Sequence, residues 1–280
     1  MQEVTLCSTP GNTILYMHLI QDNQFRMDYH LHDRFEIYFL VSGKVEFFVE
    51  RNIYIVEPGD LLVVNNYEIH KTLLKSDTDY ERIIIELDPA VLSPFCMSDY
   101  NLLGCFTQRP KGVGNRVTLN AGQLEKLKKL HGRFEALADS KQDGADLLKL
   151  TCLIELLVLV NNAFQENGKS EKGMKVPAKV LPILDYIDNN LDESLTLQSL
   201  SARFFIDKHY LSRLFLKSTG INIHDYILSR RIFRAKTLLR EGKSILEASQ
   251  SSGFENYSTF IRSFKKLVGT LPRDYQKNIG

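Results

Sequence analysis

Nowhere does this 280-residue chain carry an unbroken apolar run of bilayer-spanning length. Its longest apolar stretch, Leu147 to Val160, is interrupted by Lys149 and Glu155 and stops short of the roughly 20 residues a span requires. That stretch is expected as a buried or interfacial helix, with no membrane as partner. Met1-Gln2-Glu3-Val4 lacks a basic segment followed by an apolar core, so no secretory leader is expected and the cytoplasm is the expected location. Cysteine is scarce: Cys7, Cys96, Cys105 and Cys152 stand far apart, without the paired spacing of a zinc or redox motif, and read as reduced thiols. Also missing is the alternation of strand and helix that builds a parallel sheet.

What is present is a soluble composition, 44% hydrophobic and 25% charged, in a chain long enough for two domains. The formal net charge of +1 hides an asymmetry. From Lys175 onward 17 Lys and Arg face 10 Asp and Glu, a net +7, whereas the residues before it hold 18 against 24, a net −6. A basic last third on a mildly acidic body suits a protein that meets a polyanion with one domain only.

Up to about residue 95 apolar and polar residues alternate in short runs, as in Glu36 to Val41, Arg51 to Val56 and Arg82 to Leu87. Turn signals at Ser42-Gly43 and Pro58-Gly59-Asp60 separate the runs, which predicts a small antiparallel barrel or sandwich. Helical spacing then takes over, first in Leu119 to Ala138 and next in Asp146 to Gln165. Leu150, Leu153, Ile154, Leu157 and Val158 in the second helix face either their own barrel or another subunit. The polar, glycine-bearing stretch 165–173 marks a boundary. The expected architecture is therefore α+β: a barrel over residues 1–95, a helical connector with a possible dimerisation surface over 96–170, and an all-α domain over 175–280.

The segment Leu211 to Tyr226 matches Phe260 to Tyr275 at six of sixteen positions without a gap: Arg213/Arg262, Phe215/Phe264, Lys217/Lys266, Gly220/Gly269, Asp225/Asp274 and Tyr226/Tyr275. A short capped helix precedes each copy, opened by Thr196 and by Ser244, while Asp207 and Asn256 are placed to cap the longer helices and Gly253 to turn the chain. Short helix, turn and longer helix make a helix-turn-helix, here twice. On the outward side of the longer helices stand His209, Ser212, Arg213 and Lys217, then Asn256, Tyr257, Ser258, Ile261, Arg262, Lys265 and Lys266. Their donors suit base edges and phosphates of double-stranded DNA. Alternatively, Arg213 and Arg262 pair with Asp225 and Asp274 and only brace each unit. Between the copies a helix over Ile223 to Glu241 carries Arg230, Arg231 and Arg234, expected close to the intervening phosphates.

On these residues, above all Gly253-Phe254, Asn256-Tyr257-Ser258, Phe260, Arg262, Phe264-Lys265-Lys266, Gly269 and Pro272, the last hundred residues resemble the DNA-binding domain of AraC/XylS-family regulators. Serine at 201 and 249, Ala248 and Asp207 depart from the family pattern, and Ala248 is the change expected to loosen the second unit. The resemblance implies a transcriptional regulator, usually an activator, often a homodimer and a partner of RNA polymerase.

His30-Leu31-His32-Asp33-Arg34-Phe35-Glu36 with Gly43, Pro58-Gly59-Asp60 and His70 resembles the two motifs of a cupin barrel, with Gln24 where the first motif expects glycine. The resemblance implies a sensor whose interior binds a small polar effector, a sugar or related metabolite, through His30, His32, Glu36, Tyr38 and His70. No catalytic set, no metal and no cofactor is expected. The alternative is a metal-dependent cupin enzyme with a DNA-binding tail, in which His30, His32, Glu36 and His70 hold a divalent ion.

Overall fold

Alternating strands come first along the chain and helical spacing follows them. The computed structural model describes residues 2–8, 13–21, 32, 34–66, 68–75, 79–168 and 173–279, and they fall into two compact units that divide at Met174/Lys175. The first is rich in sheet and the second is entirely helical, so the architecture is α+β.

Among the described residues eight strands open the N-terminal unit: β1 (Gln2–Ser8), β2 (Ile14–Gln21), β3 (Phe35–Ser42), β4 (Val45–Val49), β5 (Asn52–Val56), β6 (Leu61–Val64), β7 (His70–Leu74) and β8 (Tyr80–Leu87). Short helices α1 (Pro89–Leu92) and α2 (Gly104–Thr107) and strand β9 (Arg116–Val117) lead to the long helices α3 (Ala121–Ala138) and α4 (Ala145–Ala163), and β10 (Met174–Lys175) closes the list. One sheet has the order β1-β2-β8-β3-β6-β9 and the other β10-β5-β4-β7. Its pairs, from β1 with β2 to β6 with β9, run antiparallel.

The six-stranded sheet is buried on both faces. Tyr38, Leu40, Leu62, Val64, Tyr80 and Ile84 point to the second sheet and meet Phe47, Tyr54 and Val56. Ile37, Phe39, Leu61, Val63, Ile83 and Ile85 point the other way, into a core completed by Leu127, Leu130 and Phe134 of α3 and Leu153, Leu156, Leu157 and Val160 of α4. Burial on both faces is why Leu61-Leu62-Val63-Val64 is apolar without a break. Each such side chain contributes about 1.5–3 kcal/mol on burial.

Asn120 caps α3 in a box with Gln123, two reciprocal bonds of 2.9 Å. Helix α4 and its continuation span Ala145–Glu166, which by length and composition alone is enough to cross a membrane, further than the stretch ending at Val160 suggested. Lys149 interrupts the run less than its charge implies, because it is itself buried and bonds Asp146 at 3.3 Å. The core described above takes the Leu153, Leu157 and Val160 side of α4, and Leu147, Leu148 and Val158 remain exposed.

The C-terminal unit runs α5 (Leu181–Asn189), α6 (Leu197–Phe204), α7 (Lys208–Thr219), α8 (Ile223–Arg240), α9 (Ile245–Ser251), α10 (Tyr257–Val268) and α11 (Pro272–Ile279). Leu211 and Phe215 of α7 are fully buried, with Phe215 against Tyr226 of α8 at 5.6 Å between centroids. In the second copy Phe260 and Phe264 join Ala235, Leu239, Ala248 and Tyr275 in a core of their own.

Candidate nucleic-acid interface

Both copies of the repeat build the same local object. Asp207 Oδ1 accepts from the backbone N–H groups of His209 (3.0 Å) and Tyr210 (2.9 Å), and Asn256 Oδ1 accepts from that of Thr259 (3.0 Å). Those bonds hold the Asp207 carboxyl below its ordinary pKa, the bond from Tyr210 being the largest cause. At the other end, Gly220 and Gly269 terminate α7 and α10 with φ of 76° and 85°. Thr196 and Ser244 cap α6 and α9 through boxes with Ser199 and Glu247. The small residues at 201 and 249 bring the helices together: Ser201 Oγ donates to the Ile206 carbonyl at 2.6 Å, and Ser249 is 1% exposed.

On the face opposite the core, α7 exposes His209, Arg213 and Lys217, with Ser212 half-buried. Helix α10 exposes Tyr257, Ser258, Arg262, Lys265 and Lys266, with Ile261 half-buried and Asn256 exposed at its cap. Among the described residues neither Arg213 nor Arg262 pairs with Asp225 or Asp274. Asp225 instead bonds Asn222 and His224, and Arg262 reaches only Thr259 Oγ1 at 3.5 Å. The two guanidiniums are thus available to a ligand, and the bracing alternative has no ion pair to support it. Thr259, exposed on the first turn of α10, belongs to the same surface; so does Tyr210 on α7. Neither was among the outward-facing residues expected from the sequence.

The arginines of α8 are placed differently from the expectation that they lie along phosphates. Arg230 Nε sits 2.8 Å from Asp188 Oδ1, Arg234 Nη1 is 3.5 Å from Asp192 Oδ1, and Arg231 donates to the carbonyls of Leu191 (2.9 Å) and Glu193 (2.7 Å). All three reach back to the last turn of α5 or to the segment that follows it. Gly253, at φ +83°, lies against the same segment: a Cβ there would fall 1.9 Å from the Leu191 carbonyl oxygen. Ala248 is fully buried between these elements, inside the second core.

Of the residues expected to bind an effector, Glu36 and His70 face each other and Tyr38 is bonded outside the set, to Tyr80. Tyr38 and Tyr80 share a hydroxyl contact of 2.5 Å, and burial pushes Tyr38 well above its ordinary pKa and Tyr80 up to about 12. His70 Nδ1 meets the Glu68 carbonyl at 2.9 Å, and its Nε2 faces Glu36 Oε2 at 3.3 Å, both side chains almost wholly buried. A carboxylate oxygen and an imidazole nitrogen are donors that a first-row divalent ion accepts, but here they face each other directly. His32 is partly buried and His30 lies outside the described residues. Arg82, unremarked in an isoleucine-rich run, also points inward: it bonds Gln21 and lies 4.5 Å from the Tyr80 ring centroid. Its period-two alignment with Tyr80 and Ile84 was the available signal.

Residues 15–157 match the family model of the AraC-like ligand binding domain, and residues 200–278 match that of a helix-turn-helix domain. The chain belongs to the AraC family of transcriptional regulators. This regulator is 26% identical over 261 residues to the HTH-type transcriptional regulator YdiP of Escherichia coli K12, covering 91% of the chain and 83% of YdiP. Over 135 residues, 48% of the chain and 49% of the relative, it is 30% identical to the Msm operon regulatory protein of Streptococcus mutans. The last third is the more similar part: 36% identity over 95 residues to the multiple antibiotic resistance protein MarA of Salmonella typhimurium, 34% of the chain and 75% of MarA.

Proposed function

We propose that this regulator reads double-stranded DNA with α7 and α10 in neighbouring major grooves, under the control of a small molecule held by its N-terminal unit. The observation that carries the reading is the duplication itself: two helices, each capped by a side chain and each with an arginine on its outward face that makes no ion pair among the described residues, on either side of α8. Helix α8 has 18 residues, about 27 Å at 1.5 Å each, against roughly 34 Å between successive major-groove entries. Arg213 and Arg262 are the forks for guanine, His209, Ser212, Tyr257, Ser258 and Ile261 the adaptable base contacts. Lys217, Lys265, Lys266 and the capped N-termini hold phosphates. Arg230, Arg231 and Arg234 position the two helices and contact DNA secondarily. Activation of transcription, contact with RNA polymerase, a homodimeric state and residence in the cytoplasm complete the proposal.

Recovery of bound genomic fragments, in cells and with purified protein at one fixed salt concentration, tests it. A shared motif over two adjacent major grooves is expected, lost in the Arg213→Ala, Arg262→Ala double variant. Equal, sequence-indifferent binding by both proteins sinks the reading; stoichiometric bound metal lost on His70→Ala would then favour the metal-dependent cupin enzyme.

A further inference from the structure

The outer face of the six-stranded sheet does not meet α3 evenly. Between β2, β3, β8 and α3 lies a cavity of about 480 Å³, inside the size range of small-molecule sites. Phe39, Val41, Ile83 and Leu124 give it mainly apolar walls. One polar side chain in its lining is left unserved: His131, 5% exposed, has no hydrogen-bond partner for either ring nitrogen among the described residues. A buried polar group without a partner costs about 1–3 kcal/mol. The ring is held by stacking on Phe39 (5.5 Å between centroids) and by Tyr16 (6.1 Å). Burial first, and His18 second, lower its pKa to about 4, so near neutral pH it offers one N–H donor and one acceptor nitrogen.

A second observation points to the same space. Gly132 lines the cavity in the middle of α3, with no positive φ to require glycine, and a Cβ built there meets nothing within 4 Å. Glycine in a helix interior is worse than alanine by roughly 0.5–1 kcal/mol, and no neighbour demands it. What it leaves is room.

The charged groups of the lining narrow the occupant. Glu81 and Glu135 are each bonded to His18, at 2.7 and 2.6 Å, and would repel an anion. His18 bonds both carboxylates at once and Lys128 turns to Glu125 at 3.0 Å, so the mainly apolar walls decide the class of occupant. We propose that this cavity binds an uncharged, largely apolar small molecule whose hydroxyl or carbonyl pairs with His131. The proposal rests on the reading of the N-terminal unit as a ligand sensor, and places the ligand outside the barrel, where the His131 ring is left without a hydrogen-bond partner among the described residues.

The test uses 2-naphthol, whose fluorescence is unobscured in a chain without tryptophan, with naphthalene as the analogue lacking the hydroxyl and 2-naphthoate as the anion. The full chain is expected to bind 2-naphthol saturably at one site and naphthalene roughly tenfold more weakly, the worth of one net hydrogen bond. His131→Phe should erase that difference. Gly132→Leu should weaken both probes at least tenfold while the thermal midpoint is unchanged or raised, so that loss of binding is not loss of fold. No saturable binding, equal binding of 2-naphthol and naphthalene, preference for 2-naphthoate, or indifference to Gly132→Leu would each overturn the proposal. Binding of the same samples to the recovered DNA fragments is scored separately: DNA binding without probe binding defeats the cavity and spares the regulator, and the converse defeats the regulator and spares the cavity.

Discussion

An imidazole kept neutral by burial leaves its mark on acid stability. His131 has a folded pKa of about 4 against 6.5 for the free side chain, and the groups facing it are His18 from β2, Glu81 from β8, and Lys128 and Glu135 from α3 itself. Between those pH values the unfolded chain takes up a proton that the native chain does not, so stability is full above about 6.5 and falls as pH drops toward 4. The shift corresponds to about 3 kcal/mol. Denaturant titrations of wild type and His131→Phe at pH 7.5 and pH 4.5 should show the wild type losing more stability by about that amount; parallel losses would contradict the pKa. At this scale the sequence announces the side chains that act locally. Asp207, Asn256, Thr196 and Ser244 were legible as caps because a cap is defined by its next three residues. His18, Glu81, Arg82 and His131 were not, because their partners are 61 to 117 residues away or, for His131, missing among the described residues.

Two glycines, one in a turn and one inside a helix, make opposite predictions. Gly253 turns α9 into the approach to α10 with φ +83° and has the Leu191 backbone where a Cβ would be. Gly132 has helical φ and empty space. Gly253→Ala is expected to destabilise by about 2 kcal/mol or more, through both strain and clash, and Gly132→Ala to stabilise by about 0.5–1 kcal/mol, as thermal or urea unfolding would show. The strands, the long helices and the repeated unit were readable from period alone, and α3 and α8 fall within two residues of their expected ends. What period could not supply was which side of α4 faces the barrel, since an apolar residue reports burial and not the neighbour that buries it. Nor could it show that Arg230, Arg231 and Arg234 bind the Asp188–Glu193 segment, for three cations on one helix look the same whether an internal carboxylate or a phosphate awaits them.

For the molecule as a whole, the division of charge at Lys175 was the plainest message of composition, and it coincides with the boundary between the two compact units. The outward faces of α7 and α10 were readable as exposed because they lie on a repeat, where each copy serves as a control for the other. The cavity beside α3 was not, since it belongs to the space between a sheet and a helix. One contact within the C-terminal unit sets a rule for the target rather than for the protein. Because the Leu191 carbonyl is pinned by Arg231 and fits against the bare backbone of Gly253, the entrance to the first unit and the turn of the second are fastened to one strut. A fastened pair of readers has a fixed helical phase. Inserting one base pair between the two half-sites shifts them by about 3.4 Å and roughly 35°, and is expected to weaken binding at least tenfold in an anisotropy titration. Five inserted pairs should abolish it, and ten should restore nothing. A flexible pair of readers would tolerate the single insertion, so the operator itself becomes a ruler for the stiffness of the protein that reads it.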